Sequence, residues 1–264
     1  MSIYVFCSAG GSPGVTTTAL ALAANWPRRA IVVDADPHPS QSVLAGYLAG
    51  RVELGGDLGD FAEAVRSGEI SADLLSALAI GLPGTERASF VPGFRNPNAP
   101  GLFADAMPEL VAQAQKLADE DVDVFFDLGR LDVANPAAEI FAAADYCFLV
   151  CRSSLPSLAC AKLWLPNLLS LYDSVGSLGI VLIGAGRPYN SREIAAQFDL
   201  PVFGEVAWAP RAAAQLSEQA PRAFISERNY NRSLHLLTEK IFSDSALTVL
   251  PGQAASTQIR QVAN

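Results

Sequence analysis

The segment Ser8-Ala9-Gly10-Gly11-Ser12-Pro13-Gly14-Val15-Thr16-Thr17 has the make-up of a loop that wraps phosphate groups. It follows an apolar run, Ile3–Cys7, and opens a helix-like run, Thr17–Ala24. That placing lets backbone N–H groups and the positive end of a helix face an anion. The usual pattern ends Gly-Lys-Thr, whereas here it ends Gly14-Val15-Thr16. An alkyl group therefore stands where an ammonium reaches the β- and γ-phosphates. Ala9 falls on the pattern's first glycine. Pro13 has no N–H to donate, fixes its own φ and restricts Ser12 before it. Thr16 keeps the hydroxyl that would meet Mg²⁺ beside a bound nucleotide; without nucleotide it reads as a helix-start residue capping backbone. The candidate nucleotide contacts are Gly10, Gly11, Ser12, Gly14, Val15, Thr16 and Thr17.

Two acidic segments complete the pattern. Val33-Asp34-Ala35-Asp36-Pro37 sets two carboxylates at the end of a strand, beside the place of the loop's ligand. Val124-Phe125-Phe126-Asp127-Leu128-Gly129 is a buried strand ending in aspartate, the form of a site that holds Mg²⁺ through water. Thr16, Asp36 and Asp127 are the candidate Mg²⁺ residues, on condition that nucleotide binds. Aspartate at a strand end is common in ordinary turns, so the weight lies on all three pieces occurring in order.

These groups need a scaffold of alternating strands and helices. Short β-branched runs are expected as strands at Ile3–Cys7, Ala30–Asp34, Ser89–Val91, Val122–Asp127, Tyr146–Cys151, Ile180–Ile183 and Val202–Val206. Helices are expected at Thr17–Asn25, Ser40–Leu48, Gly59–Ser67, Ala72–Leu78, Leu102–Asp119, Ala137–Ala143, Leu158–Tyr172, Ser191–Phe198, Ala212–Glu218 and Asn231–Phe242. The alternation predicts an α/β fold, a doubly wound, mostly parallel sheet with helices on both faces. Pro92–Gly101 reads as a loop. One domain over residues 1–245 and a flexible polar tail over 246–264 are the expected organisation.

Half of the 264 residues are hydrophobic and 17% are charged, which excludes a disordered chain. No apolar run approaches the ~20 residues that cross a bilayer, and no basic segment precedes an apolar one at the start. Both point to a cytoplasmic protein. Cys7, Cys147, Cys151 and Cys160 form no Cys-x-x-Cys pair and read as buried free thiols. The net charge of −9 argues against coating nucleic acid by charge. The spread is uneven, with ten basic against twenty acidic residues over 1–182 and seven against six over 183–240.

With these residues in hand, the chain resembles the ParA/MinD superfamily of deviant Walker ATPases from its start to about Phe242. Gly10–Thr17 aligns without a gap to that family's Lys-Gly-Gly-x-Gly-Lys-Thr-Thr. Asp34-Ala35-Asp36-Pro37 is similar to its Asp-x-Asp-Pro segment, and Asp127-Leu128-Gly129 to its Walker B segment. Ala144-Asp145-Tyr146, Leu200-Pro201-Val202-Phe203-Gly204 and Ala209-Pro210-Arg211 follow in the family's order. The resemblance implies a P-loop fold of the SIMIBI type. The signature lysine falls on Gly10, the Walker A lysine on Val15, and the adenine-reading asparagine near Gly184. Asp36 matches the switch aspartate that orients water. Losing one such charge from a low-dielectric site costs roughly 3 kcal/mol of transition-state stabilisation. Arg130, Arg152 and Arg187 are conceivable replacements, with surface solvation the simpler reading of each.

The atypical loop is similar to the pilus- and secretion-associated, TadZ/CpaE-like branch. The leading expectation is therefore a pseudo-ATPase of this type, not a working enzyme. It would serve as a positioning or assembly factor, dimeric, with a pilus or secretion ATPase or a polar scaffold as protein partner. Such a protein would be recruited to a pole, a septum or membrane-bound machinery. Two alternatives stay open: an ATPase that binds ATP and Mg²⁺ through an atypical loop, and a DNA-partition protein gripping phosphates with Arg211, Arg222, Arg228 and Arg232. DNA is the less favoured partner. Asn231–Phe242 is amphipathic without being strongly basic, so packing on the sheet is expected of it rather than membrane binding. Leu163-Trp164-Leu165 and Leu168-Leu169 read as core or as a dimer face.

Overall fold

The computed structural model describes residues 1–38, 40–50, 55–96, 103–132, 137–171, 177–217 and 228–248. Its strands are β1 (Ile3–Ser8), β2 (Arg29–Asp34), β3 (Ile80–Gly81), β4 (Ala88–Val91), β5 (Val122–Arg130), β6 (Tyr146–Arg152), β7 (Ser177–Ile183) and β8 (Val202–Val206). They form one sheet in the order β3-β4-β2-β5-β1-β6-β7-β8. Only the two-residue β3 runs antiparallel to its neighbour. The helices are α1 (Val15–Ala24), α2 (Leu58–Ser67), α3 (Leu74–Ala77), α4 (Met107–Asp119), α5 (Ala138–Ala143), α6 (Leu155–Leu171), α7 (Ser191–Phe198), α8 (Pro210–Ser217) and α9 (Arg228–Thr248). This is the doubly wound α/β fold expected.

Strand β1 shows why both faces are covered. Ile3, Val5 and Cys7 join the core beneath α2 to α7, while Tyr4 and Phe6 join the core beneath α1, α8 and α9. Side chains of a strand alternate between faces, and here both faces are apolar, as a buried parallel strand requires. The second core is an aromatic layer. Tyr4 and Phe125 have ring centroids 5.0 Å apart, and Phe6 and Phe148 are 5.1 Å apart. Trp26, Tyr146 and Phe203 extend the layer. The rings make a broad floor for α1, whose Ala19, Ala21 and Ala23 are small enough to let its backbone settle close.

From β1 the chain crosses to β2 on one side of the sheet, and β6 later extends it on the other. Elements leaving the two sides diverge at the C-terminal end of β1, which opens a crevice there.

Several elements differ from expectation for local reasons. Helix α1 starts at Val15, two residues early, because Gly14 turns the chain in a left-handed conformation (φ 105°). In place of a helix over Ser40–Leu48 there is a π-helical turn, Val43–Tyr47. Left-handed Gln41 (φ 55°) and Ala49 (φ 52°) confine it. The Leu102–Asp119 segment splits into a 3₁₀ turn, Ala104–Ala106, and α4, with Pro108 in the first turn of α4. Strand β5 runs on to Arg130 because Ser8 still pairs with it there. Helix α6 starts at Leu155 rather than Leu158. Helix α9 runs through residue 245 to Thr248; the expected tail from residue 249 onward lies outside the described residues. So do parts of the Pro92–Gly101 loop, and Tyr172, Glu218 and Arg222. Helix α9 packs on the sheet through Leu234, Leu237 and Ile241, as expected. Among the described residues no helix is long and apolar enough to cross a membrane.

At the opposite end of the sheet from the crevice, Asp123 is fully buried. It accepts from the Ser2 backbone N–H at 2.9 Å, Trp26 Nε1 at 2.7 Å and Arg28 Nε at 2.9 Å. Arg28 in turn lies 4.6 Å from the Phe242 ring centre, so one carboxylate ties β1, β5, the end of α1 and α9 together. Asp123→Ala leaves Arg28 and the indole N–H without their acceptor and should cost about 3 kcal/mol. Urea unfolding of the variant checks this.

Candidate functional site

The loop occupies the crevice. Its last residues enter α1, which has no side-chain cap. The first helical hydrogen bond runs from Thr18 N–H to Gly14 C=O at 2.9 Å. The N–H groups of Val15, Thr16 and Thr17 lie ahead of that bond and have no intrahelical partner. Thr16 therefore does not cap the helix, contrary to the simpler reading of it. A cleft of about 430 Å³ opens at this point, lined by Ser12, Gly14, Val15, Thr16, Thr17, Asp36 and Arg130 among others. An uncapped helix start bordering a cleft of this size suits an anion.

Val15 borders the cleft but brings no charge to it. It is 5% exposed and belongs to the core under α1. Gly10 carries no side chain at the other lysine position. Its neighbour Ala9 is braced from α6, where the Cys160 thiol donates to the Ala9 carbonyl at 3.1 Å. Cys160 is thus half-buried against the loop, while Cys7, Cys147 and Cys151 are buried; all four are free. Ser12 takes a positive φ of 43° without being glycine, which places it at the strained tip of the loop.

Opposite the helix start stand three carboxylates. Asp34 and Asp127 are register partners on β2 and β5, and Asp36 follows two residues after Asp34. Asp36 lies across the backbone of Gly129, where a Cβ would come within 1.8 Å of its Oδ2. Gly129 also has φ +55°, so close approach and conformation both demand glycine. Gly93 serves Asp34 by close approach alone, a Cβ there falling 2.6 Å from the Asp34 carbonyl oxygen.

Burial pushes the Asp127 carboxyl up to about 6; the nearby Thr16 hydroxyl and the Gly129 N–H oppose the rise, and the charge of Asp36 adds to it. Its Oδ1 accepts from Gly129 N–H at 2.9 Å. No hydrogen bond of regular geometry reaches its buried Oδ2. Asp34 is raised well above the ordinary range by burial and then by the charges of Asp127 and Asp36. Burial raises Asp36 too, against the pull of His38, whose N–H donates to it at 2.8 Å, and of Arg130. A buried carboxylate oxygen without a partner, beside a threonine hydroxyl, is chemically suited to a hydrated Mg²⁺ brought in with phosphate. Thr16, Asp36 and Asp127 are the groups that would hold it, and it would supply positive charge against the phosphate.

The arginines part company. Arg130 lines the cleft. Arg152, at the end of β6, donates through Nη2 to the Ser12 carbonyl at 2.9 Å and stacks 4.9 Å from the Trp208 ring centre. Surface solvation is not its role: it braces the loop tip. Arg187 lies farther round, lining a cleft of about 240 Å³ with Arg152 and Trp208. Trp208 carried no motif to mark it, yet it stands against Gly184, where a Cβ would sit 3.3 Å from the Trp208 Cβ. Gly184 is therefore faced by an indole. Trp208, Pro210 and Tyr230 help line a further cleft of about 250 Å³ that reaches back to Gly14 and Thr17.

Neither a protein-family profile nor a curated protein matches the sequence. Solved structures do match in fold. The chain is similar to a ParA family ATPase from Chlorobium tepidum, with 17% identity, a TM-score of 0.71 and coverage of 91% of this chain and 97% of that one. It is likewise similar to the cell division ATPase MinD of Pyrococcus furiosus, with 16% identity, a TM-score of 0.71 and coverage of 92% and 98%. The septum site-determining protein MinD of Pyrococcus horikoshii, solved with Mg-ADP, gives 16% identity, a TM-score of 0.71 and coverage of 94% and 99%. The fold is that of the ParA/MinD P-loop ATPases.

The raised Asp127 carboxyl has a measurable sign. A carboxyl whose folded pKa lies near 6, against 3.8 for its ordinary value, favours the folded state when protonated. Its contribution is complete below the ordinary value and is lost as pH rises through about 6. The loss amounts to about 3 kcal/mol. Asp127→Asn should therefore gain on the wild type between pH 4 and pH 7 by roughly that amount; paired urea titrations across the range measure it.

Proposed function

We propose that this chain is a ParA/MinD-like positioning or assembly factor that acts through protein contacts and does not turn over ATP. The observation that carries the reading is the place of Val15. The residue that should present an ammonium to the phosphates is a buried part of the core, and the second lysine position is Gly10. The remaining cations nearby do not replace them in kind. Arg152 is engaged with Ser12 and Trp208, and Arg130 neighbours Asp36. Phosphoryl transfer depends almost wholly on positioning and on stabilising charge on the transferring group. A cleft lined by Asp36, with Asp34 and Asp127 as its charged neighbours and no lysine, supplies the first and lacks the second.

Binding without turnover is compatible with the same geometry. The helix start is uncapped, and Thr16 lies beside Asp127. Mg²⁺ would offset the carboxylates that otherwise repel a triphosphate. In this reading ATP and Mg²⁺ act as a structural ligand of the loop, and the output is a surface offered to partners, most simply as a homodimer. The pilus- or secretion-type apparatus is the class of partner we favour, from the resemblance of the loop. The ParA and MinD structures whose fold it shares come from partition, cell division and septum placement proteins, which supports a role in spatial placement. Partition of DNA is disfavoured by the charge of −9.

A fluorescent fusion expressed in its host tests the role. A focus at a pole, a septum or an envelope-bound assembly is expected, and Asp36→Ala should leave it in place, because placement needs no hydrolysis. Even spread through the cell, or a nucleoid pattern abolished by Asp36→Ala, would contradict it.

A further inference from the structure

Strand β8 is the last of the sheet, and among the described residues only β7 pairs with it. A groove of about 970 Å³ runs along its open side, between the strand and α9. Phe203, Gly204, Glu205, Val206 and Ala207 all line it. A groove on one face of a strand meets alternate residues, so one that meets five in succession follows the edge. That edge is guarded at its ends. Lys240 Nζ donates to the Val202 carbonyl at 3.1 Å, and the Ala207 N–H donates to Ser233 Oγ at 3.0 Å. Between them the backbone stays open. The Val206 carbonyl turns inward to accept from Gly184 N–H at 2.8 Å. Successive residues of a strand direct their backbone groups to opposite sides, so the N–H and carbonyl of Glu205 turn outward. An open stretch of strand edge is a template for another extended chain.

The groove differs in charge from the molecule around it. Arg187, Arg228 and Lys240 line it against one acid, Glu205, while the whole chain carries −9. No carboxylate pairs with any of the three cations among the described residues. Trp208 is 39% exposed and Leu236 55%, two of the six large exposed hydrophobic side chains among the described residues, and both line this groove. We propose that the groove takes an acidic, extended segment of a partner protein, which joins the sheet as a further strand beside β8. Main-chain hydrogen bonds at Glu205 would hold it, its carboxylates would meet the three cations, and an apolar side chain would rest on Trp208 or Leu236. Charge selects this occupant. The chain's own residues 249–264 bring Arg260 and no acid, and two copies set edge to edge would oppose like-charged grooves. At one end the groove meets a second cleft, which shares Gly184, Arg187 and Trp208 with it and adds Arg152. Arg152 also holds the Ser12 carbonyl, so a segment seated there adjoins the brace of the loop tip. The inference rests on the proposed action through protein contacts and gives the chemistry of one partner.

Fluorescence anisotropy of a labelled octapeptide of alternating aspartate and valine, titrated with the full chain, tests this. Saturable binding with Kd below ~100 µM is expected, weakening as salt is added. Arg187→Glu and Arg228→Glu should each weaken it about 10-fold, and together about 100-fold. Both side chains are exposed, and a carboxylate in the first turn of α9 suits that helix. The variants' circular dichroism and melting transitions should therefore match the wild type. The double variant should prefer the lysine–valine counterpart of the peptide. Hydrogen exchange at the Glu205 amide should slow in the complex, and the same peptide N-methylated at every residue should not bind. No binding by ~1 mM overturns the inference. So does binding indifferent to the two substitutions or to N-methylation, or binding that leaves exchange at Glu205 unchanged. Tighter binding of an eight-nucleotide oligothymidylate than of the peptide also overturns it, and would give the groove to single-stranded nucleic acid. Peptide binding with an evenly spread fusion would sink the positioning role alone; a placed fusion with no peptide binding would sink this inference alone.

Discussion

The structure turns on an unbalanced charge. Asp34, Asp36 and Asp127 converge at adjoining strand ends beside a phosphate-type loop, and no ammonium faces them. Burial shifts each carboxyl upward, and neighbouring carboxylates add to the shift at Asp34 and Asp127, while His38 and Arg130 oppose it at Asp36. In a low-dielectric crevice such a cluster is stable only if something supplies positive charge: protons, a partial contribution from the start of α1, or a cation brought with a ligand. Glycine at 93 and 129 is what lets the acids sit so close to the backbone. The cluster is therefore a built feature, and its cost is carried by the rest of the fold.

That cost is offset beneath the loop. Val15 borders the cleft yet is buried in the aromatic layer, where Phe6, Phe125 and Phe148 hold α1 against the sheet. A lysine at this position would have to leave the layer or bury its charge in it. Valine thus gives packing at a position where lysine would give charge, which is the physical basis for proposing that the loop does not catalyse turnover. Arg152 and Cys160 brace the loop tip from β6 and α6, so the loop is held in shape by the protein itself.

Much of this was legible in the residues. Two-sided apolar strands such as Val122–Asp127, alternating with helix-like runs, led directly to a doubly wound sheet. The order of the loop, Asp34-Ala35-Asp36 and Asp127 placed the site, because strand ends in this fold converge. What escaped depended on long-range contact. Trp208 belongs to no pattern, and only the strand order brings it against Gly184. Arg152 looked solvated because nothing local shows that Ser12 lies within its reach. The π-helical turn at Val43–Tyr47 arose from left-handed residues at Gln41 and Ala49, which their types do not announce. Leu163 is exposed and Leu165 buried, a difference of helical phase set by packing, so core and surface could not be separated beforehand.

Whether a crevice with carboxylates and no lysine hydrolyses ATP is decided by phosphate release from the purified full chain with Mg-ATP, alongside Asp36→Ala. Both should stay at the buffer background. Repeated turnover by the wild type, lost in Asp36→Ala, would contradict the proposed absence of turnover.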